Sequence, residues 1–565
     1  MSMRLRTPSP RSLAAFSVLV ISFAVFGIQL RTLYTVPVFD SVRWGGDETW
    51  LTREFVNQAE HGSLIYPESF GEPVRTNGVL AGSMWGNALV YGVPGIIFFP
   101  RFDYVSIGRT VTALLSLVLI GSLYLICRRL GVSPLLSAAS VALMVLSQGF
   151  VWASHSARYD LVTGLVLLWY CYYLSKIEKQ TLWQMAIAGA AGIFTICFSP
   201  HLLTLAFGAT IVFLFVHRMW KRPSTLLAWL AGVITAVVLL AIAYVIGSGE
   251  FSLFGRGGTA GIFTFVLREV PILRPFSRNV QTSNLLERFH LFQTDMPGML
   301  LLLFAVLVMR LAYKLRQRQL RRRGTRLLVV STQSQRFFLW CGVVCTFSWL
   351  LMEGSRPYYL FHIAPLLLIG CVIALELWNE VFASRWFGEW GALLVMIAAI
   401  ALGMSHAIPS AVLGEAIARD RQAAISRFLR EATIDSSRKS RILFDVAGLD
   451  RALTDTSRGV LTLDMFQPPA NAEALIQKLH SNRMDYVVLR SSPVGSAFEP
   501  GRMLLPRVLV SIGEVRDSAL GFFYDDGRSY DVSLIRLIDE GLDTLRLYRI
   551  QPSNCSNSDG SVVGN

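Results

Sequence analysis

The feature that most restricts this chain is a succession of apolar runs. They lie at residues 13–34, 105–126, 134–153, 161–175, 182–198, 201–217, 225–246, 296–313, 336–352, 358–378 and 389–409. A helical run of roughly 20 apolar residues matches the hydrocarbon core of a bilayer. Inside lipid, backbone polar groups have to be satisfied within the segment itself, and for runs like these that means helices. The predicted fold class is a mainly α polytopic membrane protein of about 11 transmembrane helices. Composition agrees: only 16% of the 565 residues are charged and the mean hydropathy is +0.48, whereas soluble domains carry about 25% charge.

The net charge of +14 would suggest nucleic acid in a soluble protein. Here much of the excess sits in short clusters between apolar runs, so topology accounts for it and no nucleic-acid partner is expected. The first run follows Arg4, Arg6 and Arg11, as in a signal peptide. No small-residue cleavage site follows, so it is read as an uncleaved first membrane helix. Six of the seven cysteines lie in or beside apolar runs and Cys555 lies in the polar tail. That pattern contains no disulfide framework.

Orientation follows from positive charge. The connections 127–131, 175–179, 217–223, 314–326 and 379–386 hold nearly all the short loops rich in Lys and Arg. With the N-terminus inside, all five are cytoplasmic, as the positive-inside rule asks. The stretch Trp85 to Pro100 has Gly and Pro inside it and is short for a crossing. It is read as a helix lying in the membrane interface. If it crossed, the basic connections 127–131 and 314–326 would fall outside.

The informative polar segments then face outward: 35–104, 154–160, 199–201, 247–295, 353–357 and everything after 410. Residues 1–410 form the predicted membrane domain, with 35–104 as an external loop carrying interfacial helices. The tail alternates strand and helix. Strands are expected at 441–447, 485–491, around RVLVSIGEV and at TLRLYRI, with helices at 418–433 and 470–482. This predicts an extracytoplasmic α/β domain over 411–550 and a flexible tail at 551–565.

Four clusters gather at the outer face. Asp47 and Glu48 stand in GGDETWLT, just after the first run. A carboxylate there can act as a general base, or the acids can simply start a capped helix. His155, Arg158 and Asp160 stand in SHSARYD, where an interfacial salt bridge is the structural reading. Asp160 also heads an apolar run on the same side as Asp47. Glu72 and Arg75 stand in GEPVR, and a guanidinium fork suits a phosphate. Arg356, Tyr358, Tyr359 and His362 stand at the mouth of a late run, in an arrangement that also fits an aromatic belt with a snorkelling arginine. His201 lies at a further outer hinge.

In their order along the chain, these pieces resemble the GT-C class of polytopic glycosyltransferases, in the branch of the protein O-mannosyltransferases and the lipid A aminoarabinose transferase. The resemblance rests on GGDE, GEPVR, RTVTALLSLVLIGSLYLICRRLG, ARYDLVTGL and RPYYLFHIAPLLL, and covers roughly residues 10–410. It implies inverting transfer of a sugar from a polyprenyl-phosphate-linked donor to a lipid, glycan or protein acceptor at the outer face of the cytoplasmic membrane. By that likeness Asp47 is the base, Glu48 shapes the loop, Asp160 is a second acid near the acceptor, and Arg75 and Arg356 meet the leaving phosphate. Glu72, Arg158, His201, Tyr358, Tyr359 and His362 are candidate substrate contacts. Two departures stand out: Arg75 where the family often has Lys, and Ser199-Pro200-His201 where many relatives have a Thr-Lys-Gly type hinge. Some relatives hold a divalent metal near the Glu-Pro loop. Glu72 with a histidine is conceivable as a ligand pair, though no ligand spacing requires it. Two other classes stay open, a transporter or flippase of lipid-linked glycans and a non-catalytic membrane scaffold. The chain has no clear repeated halves and few mid-run charges, features more often found in a transporter.

Overall fold

The computed structural model describes residues 10–32, 52, 55, 56, 59, 65–69, 72–75, 85–98, 101, 104–177, 181–248, 293, 296–322, 332–351, 360–382 and 391–405, and short strands between 442 and 550. The chain divides into two compact units. One comprises 1–36, 51–65 and 75–415; the other comprises 37–50, 66–74 and 416–565.

In the first unit the described residues of each of the eleven apolar runs are mainly helical. The helices are α1 (Pro10–Gln29), α2 (Trp85–Phe98), α3 (Tyr104–Arg129), α4 (Pro134–Val145), α5 (Gln148–His155), α6 (Asp160–Lys176) and α7 (Leu182–Phe194). They continue as α8 (Pro200–Val216), α9 (Pro223–Ser248), α10 (Pro297–Arg322), α11 (Gln333–Leu351), α12 (Leu360–Phe382) and α13 (Gly391–Ser405). Among the described residues four helices are long and apolar enough to cross a bilayer, or five if α4 and α5 count as one bent span. The others are shorter or more polar.

The run expected at 134–153 is broken because Ser147 starts a new helix. Its hydroxyl accepts from the Phe150 N–H at 3.3 Å, and the two pieces meet at 70°. The Trp85–Phe98 segment is helical as expected and contains a π-helical turn at Ala88–Gly92, a distortion that concentrates at functional sites.

Helix α12 is central: 78% of its apolar stretch is buried, against 17% for α1 and for α9. Pro365 lies inside α12 and has no N–H to offer the carbonyl four residues earlier. That carbonyl, of Phe361, faces Gly164 of α6, where a Cβ would come within 3.3 Å of it. Helices α7 and α9 touch backbone to backbone. A Cβ at Gly189 would lie 2.1 Å from the Trp229 carbonyl oxygen, and one at Gly232 would lie 1.8 Å from that of Ala186. Small residues are what allow such close approach between membrane helices.

The strands, which belong to the second unit apart from the end residues Ile65 and Arg75, are β1 (Ile65–Ser69), β2 (Glu72–Arg75), β3 (Ile442–Phe444), β4 (Leu461–Thr462), β5 (Tyr486–Ser491), β6 (Leu509–Arg516), β7 (Gly521–Tyr524), β8 (Ser529–Asp531) and β9 (Thr544–Ile550). They form one sheet in the order β2-β1-β4-β3-β5-β9-β6-β7-β8. The side containing β1, β4, β3 and β5 is parallel, and β9, β6, β7 and β8 continue it antiparallel. The four strands expected in the tail are β3, β5, β6 and β9. The helices expected at 418–433 and 470–482 lie outside the described residues. An unexpected feature is that GEPVR of the first loop forms β2, an edge strand of this sheet.

Candidate functional site

Asp160 is the first residue of α6, where a carboxylate is favoured by the helix dipole. It is 1% exposed. Its Oδ2 accepts from Arg158 Nε at 2.8 Å and its Oδ1 meets His362 Nε2 at 2.9 Å. Both partners are also buried, at 3% and 0%. The sequence SHSARYD thus supplies a cation and an anion two residues apart, and α12 delivers an imidazole from 202 positions away. Tyr159 flanks the group, with its ring 6.4 Å from that of His362 and 5.8 Å from the Arg158 guanidinium.

The backbone of this turn is held from two sides. Tyr91, in the π-helical turn of α2, donates its hydroxyl to the Arg158 carbonyl at 2.9 Å and accepts from Thr112 Oγ1 at 3.2 Å. Its ring stacks on Phe55 at 5.5 Å. On the other side, His155 Nε2 meets the Gln29 carbonyl at 2.8 Å and Nδ1 meets the Val151 carbonyl at 2.7 Å. The end of α1 is therefore tied to the same turn.

Gly108 brings a third element in. A Cβ there would lie 2.6 Å from that of Ala157 and 3.0 Å from the Thr52 methyl. Thr52 is 2% exposed. Beside Gly108 stands Arg109, the largest fully buried side chain among the described residues.

Of the predicted site residues, Arg158, Asp160 and His362 come together. His201, the second residue of α8, is within electrostatic reach of His362. Next to it, Ser199 Oγ is buried without a hydrogen-bond partner. Asn87 of α2 donates to the Phe198 carbonyl at 2.6 Å, which ties α2 to this hinge. Glu72 and Arg75 are on β2. Asp47, Glu48, Arg356, Tyr358 and Tyr359 lie outside the described residues. Among the described residues no three His, Cys, Asp or Glu side chains gather as a metal site. The carboxylate of Asp160 is already shared between Arg158 and His362.

Sequence reading missed Tyr91, Thr112 and Arg109. The signal for Arg109 was available, since an arginine in an apolar run is costly unless it has a role. Tyr91 gave no such signal: an aromatic in an apolar stretch reads as packing.

No family model matches the chain, and no curated protein matches it. Among solved structures, ArnT from Cupriavidus metallidurans bound to undecaprenyl phosphate superposes with a TM-score of 0.51 at 12% identity, over 94% of this chain and 97% of that one. The apo form of the same protein gives 0.50 at 12% identity, over 95% and 98%. Arabinofuranosyltransferase AftD from mycobacteria covers 94% of this chain but 40% of that one, at 13% identity and 0.45, a likeness too low to argue from. At these identities the likeness is one of fold: the chain shares the overall architecture of ArnT, with apolar helices of which four or five are long enough to cross a bilayer among the described residues.

Proposed function

We propose that this protein is a glycosyltransferase that moves a sugar from a polyprenyl-phosphate donor to an acceptor, with inversion, at the outer face of the cytoplasmic membrane. The observation that supports this reading most is the fold shared with ArnT along 94% of the chain, in a structure that holds undecaprenyl phosphate. The proposed topology has eleven spans with the N-terminus inside. Residues 1–410 form the catalytic domain, 411–550 an extracytoplasmic α/β domain and 551–565 a tail.

The chemistry is a displacement at the anomeric carbon. Asp47 takes the proton from the acceptor hydroxyl or amine, the acceptor atom bonds to that carbon, and the carbon–phosphate oxygen bond breaks. Polyprenyl phosphate leaves with the electron pair. Arg75 and Arg356 stabilise the leaving phosphate, since electrostatic stabilisation of developing charge is commonly the largest catalytic contribution. Glu48 shapes the loop.

Asp160 has a different part from Asp47. With one oxygen on Arg158 and the other on His362, it orients those two groups toward the acceptor. Glu72, His201, Tyr358 and Tyr359 are the remaining candidates for substrate contact.

The test is to incubate the purified full-length protein with a panel of polyprenyl-phosphate sugars and candidate acceptors, and to read products by mass spectrometry. A sugar-bearing acceptor and free polyprenyl phosphate support the reading. Movement of intact donor across proteoliposomes with no transfer would replace it with a flippase.

A further inference from the structure

Helix α10 has a part that the transfer reaction does not use. The sequence predicts an end near residue 313 and a connection at 314–326, yet the helix runs unbroken from Pro297 to Arg322. Its apolar part, Pro297–Ala312, is about 24 Å long, and the remaining residues add about 15 Å. A hydrocarbon core of roughly 30 Å accommodates the first part, so the second part emerges through the headgroup layer. Eight lysines and arginines and no acid lie between 310 and 326.

The spacing of these residues matters as much as their charge. Phe304, Leu307, Val308, Leu311 and Leu315 are exposed, from 49% at Val308 to 67% at Leu307. On a helix these five positions fall within an arc of about 100°, a lipid-facing stripe. Positions 318 and 322 come seven residues after 311 and 315 and fall in the same arc. Exposed Lys314 stands at its edge. Arg316 and Arg321 fall outside the arc. A phospholipid whose acyl chains lie along Leu311 and Leu315 therefore has its headgroup at the level of 318 and 322.

We propose that the basic end of α10 is a docking face for anionic phospholipid headgroups, formed by Arg318 and Arg322, whose positions continue the register of the apolar stripe. A zwitterionic headgroup has no net charge to offer these cations. Each Lys or Arg near an anionic surface contributes about fivefold in affinity. The inference rests on α10 being a membrane helix and is independent of the transfer reaction.

The experiment measures binding of acyl-labelled phosphatidylglycerol and phosphatidylcholine to the purified full-length protein in neutral detergent. Two charge-matched variants are compared, Arg318→Gln/Arg322→Gln on the arc and Arg316→Gln/Arg321→Gln off it. The expected result is a preference for phosphatidylglycerol that falls on the order of tenfold in the first variant and less than threefold in the second. Inorganic phosphate in large excess leaves the lipid bound. Equal losses in the two variants, equal binding of the two lipids, or displacement by inorganic phosphate would each overturn the proposal. Gel filtration shows whether either variant has misfolded. In that event Arg318→Lys/Arg322→Lys, which keeps the charge, binds phosphatidylglycerol as the unsubstituted protein does, and a tenfold loss there would also overturn it.

Discussion

His362 Nε2 lies 2.9 Å from Asp160 Oδ1, and this contact joins the first turns of α6 and α12, two helices far apart in sequence. Arg158 occupies the other oxygen of the same carboxylate. Removing one member of a buried ion pair strands the other, at a cost of about 3–5 kcal/mol. Asp160→Asn is therefore expected to unfold at markedly lower temperature in detergent. His362→Gln, which leaves the Arg158–Asp160 pair intact, is expected to cost only about 1 kcal/mol. Thermal unfolding of the two variants side by side checks the order, and an Asp160→Asn protein as stable as the unsubstituted one would contradict it.

The α7–α9 contact gives a second prediction. A Cβ at Gly232 would overlap the Ala186 carbonyl oxygen, a backbone atom with no rotamer to escape into. Gly232→Ala is expected to separate the two helices and to reduce the yield of folded protein severalfold. Gly121→Ala, with nothing within 4 Å of its Cβ position, is expected to be neutral. Equal yields of monodisperse protein from the two would show that the helices do not pack this closely.

Much of this was legible in the sequence. The described residues of all eleven apolar runs are mainly helical, and four or five of those helices are long and apolar enough to cross a bilayer, where helices satisfy the backbone internally. Asp160 at a helix start, near Arg158, was readable from SHSARYD. Its link to His362 was not, because hydrogen bonding across 202 positions leaves no local pattern. The break at Ser147 was missed because Ser147 and Gln148 are only a brief polar interruption in a mainly apolar run, and the serine cap decided it. GEPVR was read as a loop ahead of a helix. It forms an edge strand because its pairing partners come from elsewhere in the chain, and a strand of four residues carries too little alternation to announce itself.

Topology gives a third prediction. Exposed Gln333 begins α11, and its neighbour Ser334 donates to the Ser175 carbonyl at 3.0 Å, in another connection expected on the cytoplasmic side. In a variant lacking exposed cysteine, Gln333→Cys is expected to react with an impermeant thiol reagent only after permeabilisation. Ser496→Cys is expected to react in intact cells. The reverse pattern would reject the eleven-span arrangement.

A fourth concerns the phosphate. Arg75→Ala and Arg356→Ala are each expected to weaken donor binding or turnover. Lys at either position is expected to restore only part of it, because an ammonium lacks the planar fork of a guanidinium. Steady-state kinetics against donor concentration provide the check, and unchanged kinetics in both Ala variants would remove these residues from the site.

The central claim is that Asp47 removes the acceptor proton. Asp47→Asn keeps the shape and the capping oxygen of the residue and loses its basicity, and Asn caps a helix as well as Asp does. Single-turnover transfer by Asp47→Asn, measured on the donor and acceptor that the product panel identifies, is the most direct test. The account predicts a stable, membrane-inserted protein whose transfer rate falls about 10²–10⁴-fold, with Glu48→Gln affected less. A stable Asp47→Asn protein that transfers at the unsubstituted rate would contradict it and leave GGDE as a helix start.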